Sequence, residues 1–172
     1  MNIIFETERL FFREFTPDDA QLIYELNSDP EVIKYVHELP TTDLNIALAN
    51  ITERILPQYT KYGYGRWAVH VKGSEEFIGW CGLKYRPERT EIDLGYRFKQ
   101  EFWGMGYATE AAIGTVKYGF AALRIPIITA MAHIENIASL KVIEKCGMQF
   151  QRFEEVETCP VKTYTIRNPY NS

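Results

Sequence analysis

Residues Phe102-Trp103-Gly104-Met105-Gly106-Tyr107-Ala108-Thr109-Glu110-Ala111 set two glycines around a single residue, between a strand-like run and a helix-like run. Such a loop bares backbone N–H groups at a helix N-terminus, where the helix dipole favours negative charge, and phosphate groups bind there. Three readings are open: a turn that needs glycine's conformational freedom, a dinucleotide-binding loop, or a cradle for the pyrophosphate of coenzyme A. The dinucleotide fingerprint wants glycine or alanine where Thr109 stands and an acid about 20 residues on, where the chain has Arg124. No Gly-Lys-Ser/Thr follows, so the Walker pattern fails. Upstream, Glu91 to Phe98 alternates: Ile92, Leu94, Tyr96 and Phe98 on one face, and Glu91, Asp93, Gly95 and Arg97 on the other. Cys81, Cys146 and Cys159 have no metal-ligand spacing and form no CxxC pair, and His37, His70 and His133 share no metal-like spacing. No metal site is expected, and no Cys–His pairing supports a covalent relay.

The elements that must position these residues follow from the pattern. Leu10–Phe15 reads as a first strand, and Thr16-Pro17-Asp18-Asp19 as a helix start with Thr as N-cap and Pro in the first position. A second helix starts near Thr41-Thr42-Asp43 and is expected to end before Pro57. After Gly63 and Gly65 the period becomes strand-like, with strands at 67–71, 77–85 and 91–98 joined by short turns, which implies an antiparallel meander. Past the glycine loop, Ala108, Ala111, Ala112, Val116, Phe120 and Leu123 recur at helical spacing and lead to an apolar strand at 127–132. Strand, helix and strand make a crossover, so one parallel pair enters an otherwise antiparallel sheet. His70 reads as a strand residue and His133 as a loop residue. Asn136 can N-cap a helix that stops at Gly147, and strands at 150–157 and 162–167 close the chain. The expectation is a mixed α+β fold, a mostly antiparallel central sheet of about seven strands flanked by helices, in one domain spanning residues 1–172.

Composition narrows the function classes. The chain has 172 residues, 46% apolar and 24% charged, the balance of an ordinary globular protein. A net charge of −4 with no basic run argues against nucleic acid as a stable partner. No stretch approaches a membrane span, and the N-terminal segment lacks the basic start of a signal peptide. Three well-separated cysteines fit reduced thiols, so a cytoplasmic location is expected.

Several segments together resemble the GNAT superfamily of N-acetyltransferases, in its RimJ/RimL-like branch. They are Thr7-Glu8-Arg9-Leu10 with Phe12-Arg13-Glu14, Asp18-Asp19-Ala20, Ser28-Asp29-Pro30-Glu31-Val32, Asp93-Leu94-Gly95-Tyr96, the run Trp103 to Ala111, Asn136-Ile137-Ala138-Ser139 and Glu144-Lys145-Cys146-Gly147-Met148. The resemblance spans nearly the whole chain and implies the GNAT fold, acetyl-CoA as donor co-substrate and a primary amine as acceptor, of a small molecule or a protein N-terminus. It implies that amides from about Phe102 through Trp103, Gly104, Met105, Gly106 and Tyr107 to Ala108, with neighbouring Thr109, face the pyrophosphate. The backbone of Leu94, Gly95 and Tyr96 would pair with the pantetheine arm, one N–H acting as oxyanion donor. Asn136 would bond CoA.

Direct attack in a ternary complex requires a neutral amine, and the resemblance places the base on the strand carrying Glu91 and Asp93. Arg66, Tyr64 and Arg97 are further cleft residues. Many relatives carry a Tyr general acid seven residues after the Asn; that position is Ile143 here, and Ser139 is the substitute, lying beside CoA as well. Cys81 is read as a small buried apolar residue in preference to a neighbour of the acetyl group. The resemblance is also compatible with a homodimer. The rival class is an acyl-CoA-binding or regulatory module with weak or no catalysis.

Overall fold

The computed structural model describes residues 2–171. Its elements are β1 (Ile3–Glu6), β2 (Leu10–Glu14), α1 (Ala20–Ser28), α2 (Leu44–Asn50), α3 (Leu56–Tyr62), β3 (Arg66–Val71), β4 (Phe77–Arg86), β5 (Glu91–Phe98), α4 (Tyr107–Ala121), β6 (Ile127–His133), α5 (Ile137–Lys145), β7 (Gln149–Val156) and β8 (Cys159–Arg167). The strands form one eight-stranded sheet in the order β1-β2-β3-β4-β5-β6-β8-β7. All neighbours are antiparallel except β5 and β6, which the α4 crossover makes parallel. The strand beyond the expected seven is β1, whose Phe5 stacks on Phe12 of β2 with ring centroids 4.1 Å apart.

Alternation along the strands gives the sheet two unlike faces. On one, Trp67, Val69, Cys81, Leu83, Leu94, Ile128 and Ala130 pack against Ala111, Ala112, Val116 and Phe120 of α4 and Leu140 and Ile143 of α5. On the other, Ala68 and Phe77 lie under α1 and α2 through Ile23, Leu26 and Ala47. That apolar cover ends near β4. Beyond it, the register sets Lys84 opposite Asp93 and Arg86 opposite Glu91, so the uncovered face carries charge.

Local signals explain most boundaries. Thr16 and Asp19 form a reciprocal capping box around Pro17, and Asp19 is gripped by both Nη atoms of Arg13 at 2.8 and 2.9 Å. The second helical region departs from expectation, continuing past Pro57 to Tyr62. Residues Ile51–Ile55 form a π-helical turn, in which the Leu56 N–H reaches back to the Ile51 carbonyl. A proline lacks the N–H and crowds the carbonyl four residues back, and the widened turn makes room for it. The helix resumes as α3 and ends at Gly63, which takes φ +78°. Its Tyr59 hydroxyl donates to the Arg66 carbonyl and accepts from the Phe15 N–H, while Gln58 bonds both the N–H and the C=O of Tyr85. The last strand begins at Cys159, three residues before its expected start, because Pro160 occupies the first turn of the ladder, opposite Glu155.

Candidate active site

The parallel pair β5–β6 is in register at two positions, Asp93 with Thr129 and Leu94 with Ala130. Past these the strands part, although β5 runs on to Phe98 and β6 to His133. The backbone edges of residues 95–98 and 131–133 therefore open a wedge in the sheet, able to accept an extended, amide-bearing chain as an inserted strand. Leu94, Gly95 and Tyr96 stand at its apex.

The glycine loop lies at the end of β5, leading into α4. Gly104 and Gly106 both take left-handed backbone, φ +76° and +81°, and a side chain at Gly104 would meet nothing within 4 Å, so the loop surface is open. The span of amides aimed outward is shorter than expected. The Phe102 and Trp103 N–H groups close a 3₁₀ turn onto the Lys99 and Gln100 carbonyls at 3.0 and 3.1 Å, and the Trp103 indole donates to the Phe98 carbonyl. Gly104, Met105, Gly106, Tyr107, Ala108 and Thr109 have no backbone acceptor among the described residues, and α4 has no side-chain N-cap. These six N–H groups at a 15-residue helix start are the kind of donor set an anion can meet.

Arg9 holds this loop, and the sequence reading gave it no role. Its Nε pairs with Glu110 Oε1 at 2.7 Å, its backbone N–H with Oε2 at 2.8 Å, and its Nη1 donates to the Met105 carbonyl at 3.0 Å. The guanidinium lies 4.4 Å from the centre of the Tyr107 ring. Burial opposes ionisation of Glu110, but hydrogen bonds from Thr7 and Arg9 hold its carboxyl below the ordinary value. The signal was the Thr7-Glu8-Arg9-Leu10 segment itself, whose contact partner lies 101 positions away.

Tyr96 and Ser139 meet on the helix side of the wedge. The Tyr96 hydroxyl is 2.7 Å from Ser139 Oγ and 3.1 Å from the Ser139 carbonyl, linking β5 to α5. Desolvation raises the Tyr96 phenol well above its ordinary value, so it stays protonated and can donate. Asn136 caps α5 by accepting from the Ser139 N–H at 3.2 Å, which leaves its amide nitrogen free. Ile143 is buried in the core and can supply no proton. Cys81 is fully buried with its thiol pushed up to about 12 by burial and its sulfur 3.3 Å from the Thr115 hydroxyl, the state of a core residue and not a nucleophile.

On the opposite face the two candidate carboxylates part company. Glu91 is absorbed by a network: Arg89 at 3.0 Å and Arg152 at 3.3 Å, both of which also grip Glu154. Asp93 sits beside the wedge apex, 3% exposed, with Oδ2 held by Arg66 at 2.9 Å and Arg86 at 3.4 Å. The Arg66 guanidinium also donates to the Gly82 and Asp93 carbonyls and lies directly over Gly95, where a Cβ would come within 2.6 Å of it. A side chain at Gly95 would have to displace this guanidinium from its bonds to Asp93 and Gly82. Above this face the segment between α1 and α2 crosses the cleft. Arg97 ties it down through Asn27 and Glu38, Tyr35 packs on His133, and His37 bonds Thr158 on the β7–β8 turn. His133, expected in a loop, is the last residue of β6. Tyr64 lies in the core cluster, away from the charged face.

Such a sheet, split between two parallel strands beside a glycine-bearing helix start, defines an acyltransferase architecture, and comparison with known proteins gives the family. The acetyltransferase (GNAT) domain profile matches residues 9–149. The chain is 33% identical over 144 residues, 83% of its length and 80% of the other's, to the uncharacterized N-acetyltransferase p20 of Bacillus licheniformis. An acetyltransferase of the GNAT family from Bacillus anthracis superposes with a TM-score of 0.80 at 26% identity, over 97% of this chain and 99% of that one. Spermidine N-acetyltransferase from Vibrio cholerae, solved with CoA and spermine, shares the fold with a TM-score of 0.76 at 20% identity, over 93% and 96% of the two chains. The chain belongs to the GNAT family and is an acetyltransferase, a family that uses acetyl-CoA. Among the described residues no helix is long and apolar enough to cross a membrane.

Proposed function

We propose that the protein transfers the acetyl group of acetyl-CoA directly to a primary amine in a ternary complex, with the wedge as the observation that carries the reading. In this reading the co-substrate's pantetheine arm lies against residues 94–96, and its pyrophosphate meets the amides of residues 104–109. The free amide nitrogen of Asn136 faces the same arm. Asp93 is the base: Arg66 and Arg86 fix its Oδ2, and Oδ1, which has no hydrogen-bond partner among the described residues, takes the ammonium proton. A backbone N–H at Leu94 or Tyr96 holds the oxyanion as the amine adds to the thioester carbon. The C–S bond then breaks, and the second proton shed by the attacking nitrogen reaches the departing thiolate through the Ser139 hydroxyl, which Tyr96 orients. Glu91, tied into its arginine network, positions the outer end of β5.

A cytoplasmic enzyme of the RimJ/RimL-like branch, acting as a homodimer on a small amine or a protein N-terminus without nucleic acid or membrane, fits this reading. Release of free CoA across a panel of amines tests it. Intersecting double-reciprocal lines for acetyl-CoA and amine are expected. Parallel lines would replace direct transfer with an acetyl-enzyme. Tight CoA binding with no turnover on any amine would instead favour an acyl-CoA-binding module.

A further inference from the structure

Among the described residues two buried side-chain atoms lack a hydrogen-bond partner, Arg86 Nε and Asp93 Oδ1. One is a donor and the other an acceptor. They belong to side chains that already touch, since Arg86 Nη2 is 3.4 Å from Asp93 Oδ2, yet the two orphans do not satisfy each other. Buried polar groups are rarely left unmet, so both atoms call for a partner that the protein itself does not supply.

Their buried surroundings gather cations. Lys84 stands directly opposite Asp93 in the β4–β5 ladder, half-buried and in no ion pair among the described residues. Burial and the nearby Arg86 and Arg66 lower its ammonium below the ordinary value, while Asp93 and Glu157 oppose that shift. Three cations, Arg66, Lys84 and Arg86, surround the buried carboxylate of Asp93, while the other nearby carboxylates, Glu88, 3.9 Å from Arg86, and Glu157, are exposed at the rim. These groups are also ordered along the strands. The wedge opens beyond Leu94, Asp93 lies at its apex, and Arg86 lies opposite Glu91, two residues farther from the wedge.

We propose that Arg86 and Lys84 form a carboxylate subsite and that the acceptor is an amino acid or a similarly short amino-carboxylate. Its amine sits on Asp93 Oδ1 beside the wedge, and its carboxylate accepts from Arg86 Nε and Lys84 Nζ. Both orphan atoms are closed off from solvent, so the Lys84 side chain, in no ion pair among the described residues, changes rotamer to admit the ligand. A polyamine in the same position would set a second ammonium against two cations and is disfavoured. This inference rests on the N-acetyltransferase reading above and narrows its acceptor.

The test compares free-CoA release, at saturating acetyl-CoA, for the common amino acids, their carboxamides, the decarboxylated amines, aminophosphonates and spermidine. For the accepted side chain, kcat/KM should favour the carboxylate over its carboxamide by about 10- to 100-fold, the scale of a charge-assisted hydrogen bond. Retention of activity by the aminophosphonate would support an anion subsite, and a loss of it would restrict the subsite to planar carboxylates. The substitutions Lys84→Met, which keeps the apolar stem, and Arg86→Gln should each shrink that preference, with CoA affinity by calorimetry reporting that the fold persists. Equal or faster turnover of the carboxamides, the decarboxylated amines or spermidine would overturn the subsite and leave the acetyltransferase reading standing. A preference that survives both substitutions would overturn it as well. No turnover with any amine, despite CoA binding, would overturn both.

Discussion

The glycine loop and the charged face of β3–β5 both border β5 but present different kinds of polar group. On the loop, the donors are six main-chain N–H groups, and the side chains of Trp103 and Met105 point largely into solvent. On the face, the polar groups belong to side chains, Arg66, Lys84, Arg86 and Asp93, and the Arg66 guanidinium lies against Gly95. A backbone site depends on φ and ψ and tolerates many side chains. A side-chain site depends on identity and charge at every position. On the proposed reading the co-substrate meets the first kind of site and the acceptor the second.

Four substitutions or conditions would sharpen or break that contrast. The largest effect is expected for Asp93→Asn, which should lower kcat by about 100-fold or more, the usual worth of a general base, while leaving the KM for acetyl-CoA within about twofold. A change confined to the acetyl-CoA KM would put Asp93 on the donor side and dissolve the division. Gly106→Ala comes next. Its left-handed φ of +81° strains an L-residue, and the new Cβ would lie 3.3 Å from Arg9 Nη2. A cost of about 1 kcal/mol predicts a roughly fivefold rise in acetyl-CoA KM, with acceptor specificity unchanged. For Arg9→Met, loss of the bonds to Met105 and Glu110 should raise the same KM about three- to fivefold, the scale of a net hydrogen bond, and equilibrium binding of CoA would show it directly.

The smallest effect concerns pH. Hydrogen bonds from Arg89 and Thr163 outweigh burial and hold the Glu154 carboxyl at about 2. A depressed carboxylate means that the unfolded chain binds the proton first. Its stabilisation is therefore complete above the ordinary value of 4.5 and drains away between 4.5 and about 2. Thermal melts of the wild type and Glu154→Gln should converge as pH falls through that window. A constant gap would mean that the β7–β8 network adds nothing through this charge.

The same division explains what could be read from sequence. Strand β5 was expected at residues 91–98 and forms there, because clean alternation marks a sheet with one apolar face. The glycine loop and α4 were legible because glycine and a 3.6-residue period are local signals. Phe102 and Trp103 were assigned outward-facing amides because a short 3₁₀ turn leaves no mark in composition. Asp93 was recognisable as a carboxylate on the right strand. Its burial between Arg66 and Arg86 was not, since Arg66 lies 27 positions away and acquires meaning only through strand register. Strand β1 escaped because four residues are too few to show a period. The helix beyond Pro57 escaped because proline normally stops a helix, and the π turn that rescues it has no simple sequence signature.

That π turn also acts as a phase adjuster. It inserts one residue into an otherwise continuous helix, and one residue of α-helix is worth about 100° of rotation. The extra residue aims Tyr59 and Gln58 at the Arg66 and Tyr85 backbones, so the phase of this helix sets how it clamps the start of β3 and the end of β4. Deleting a single residue from 51–55 would restore regular winding and swing both clamps away from the sheet.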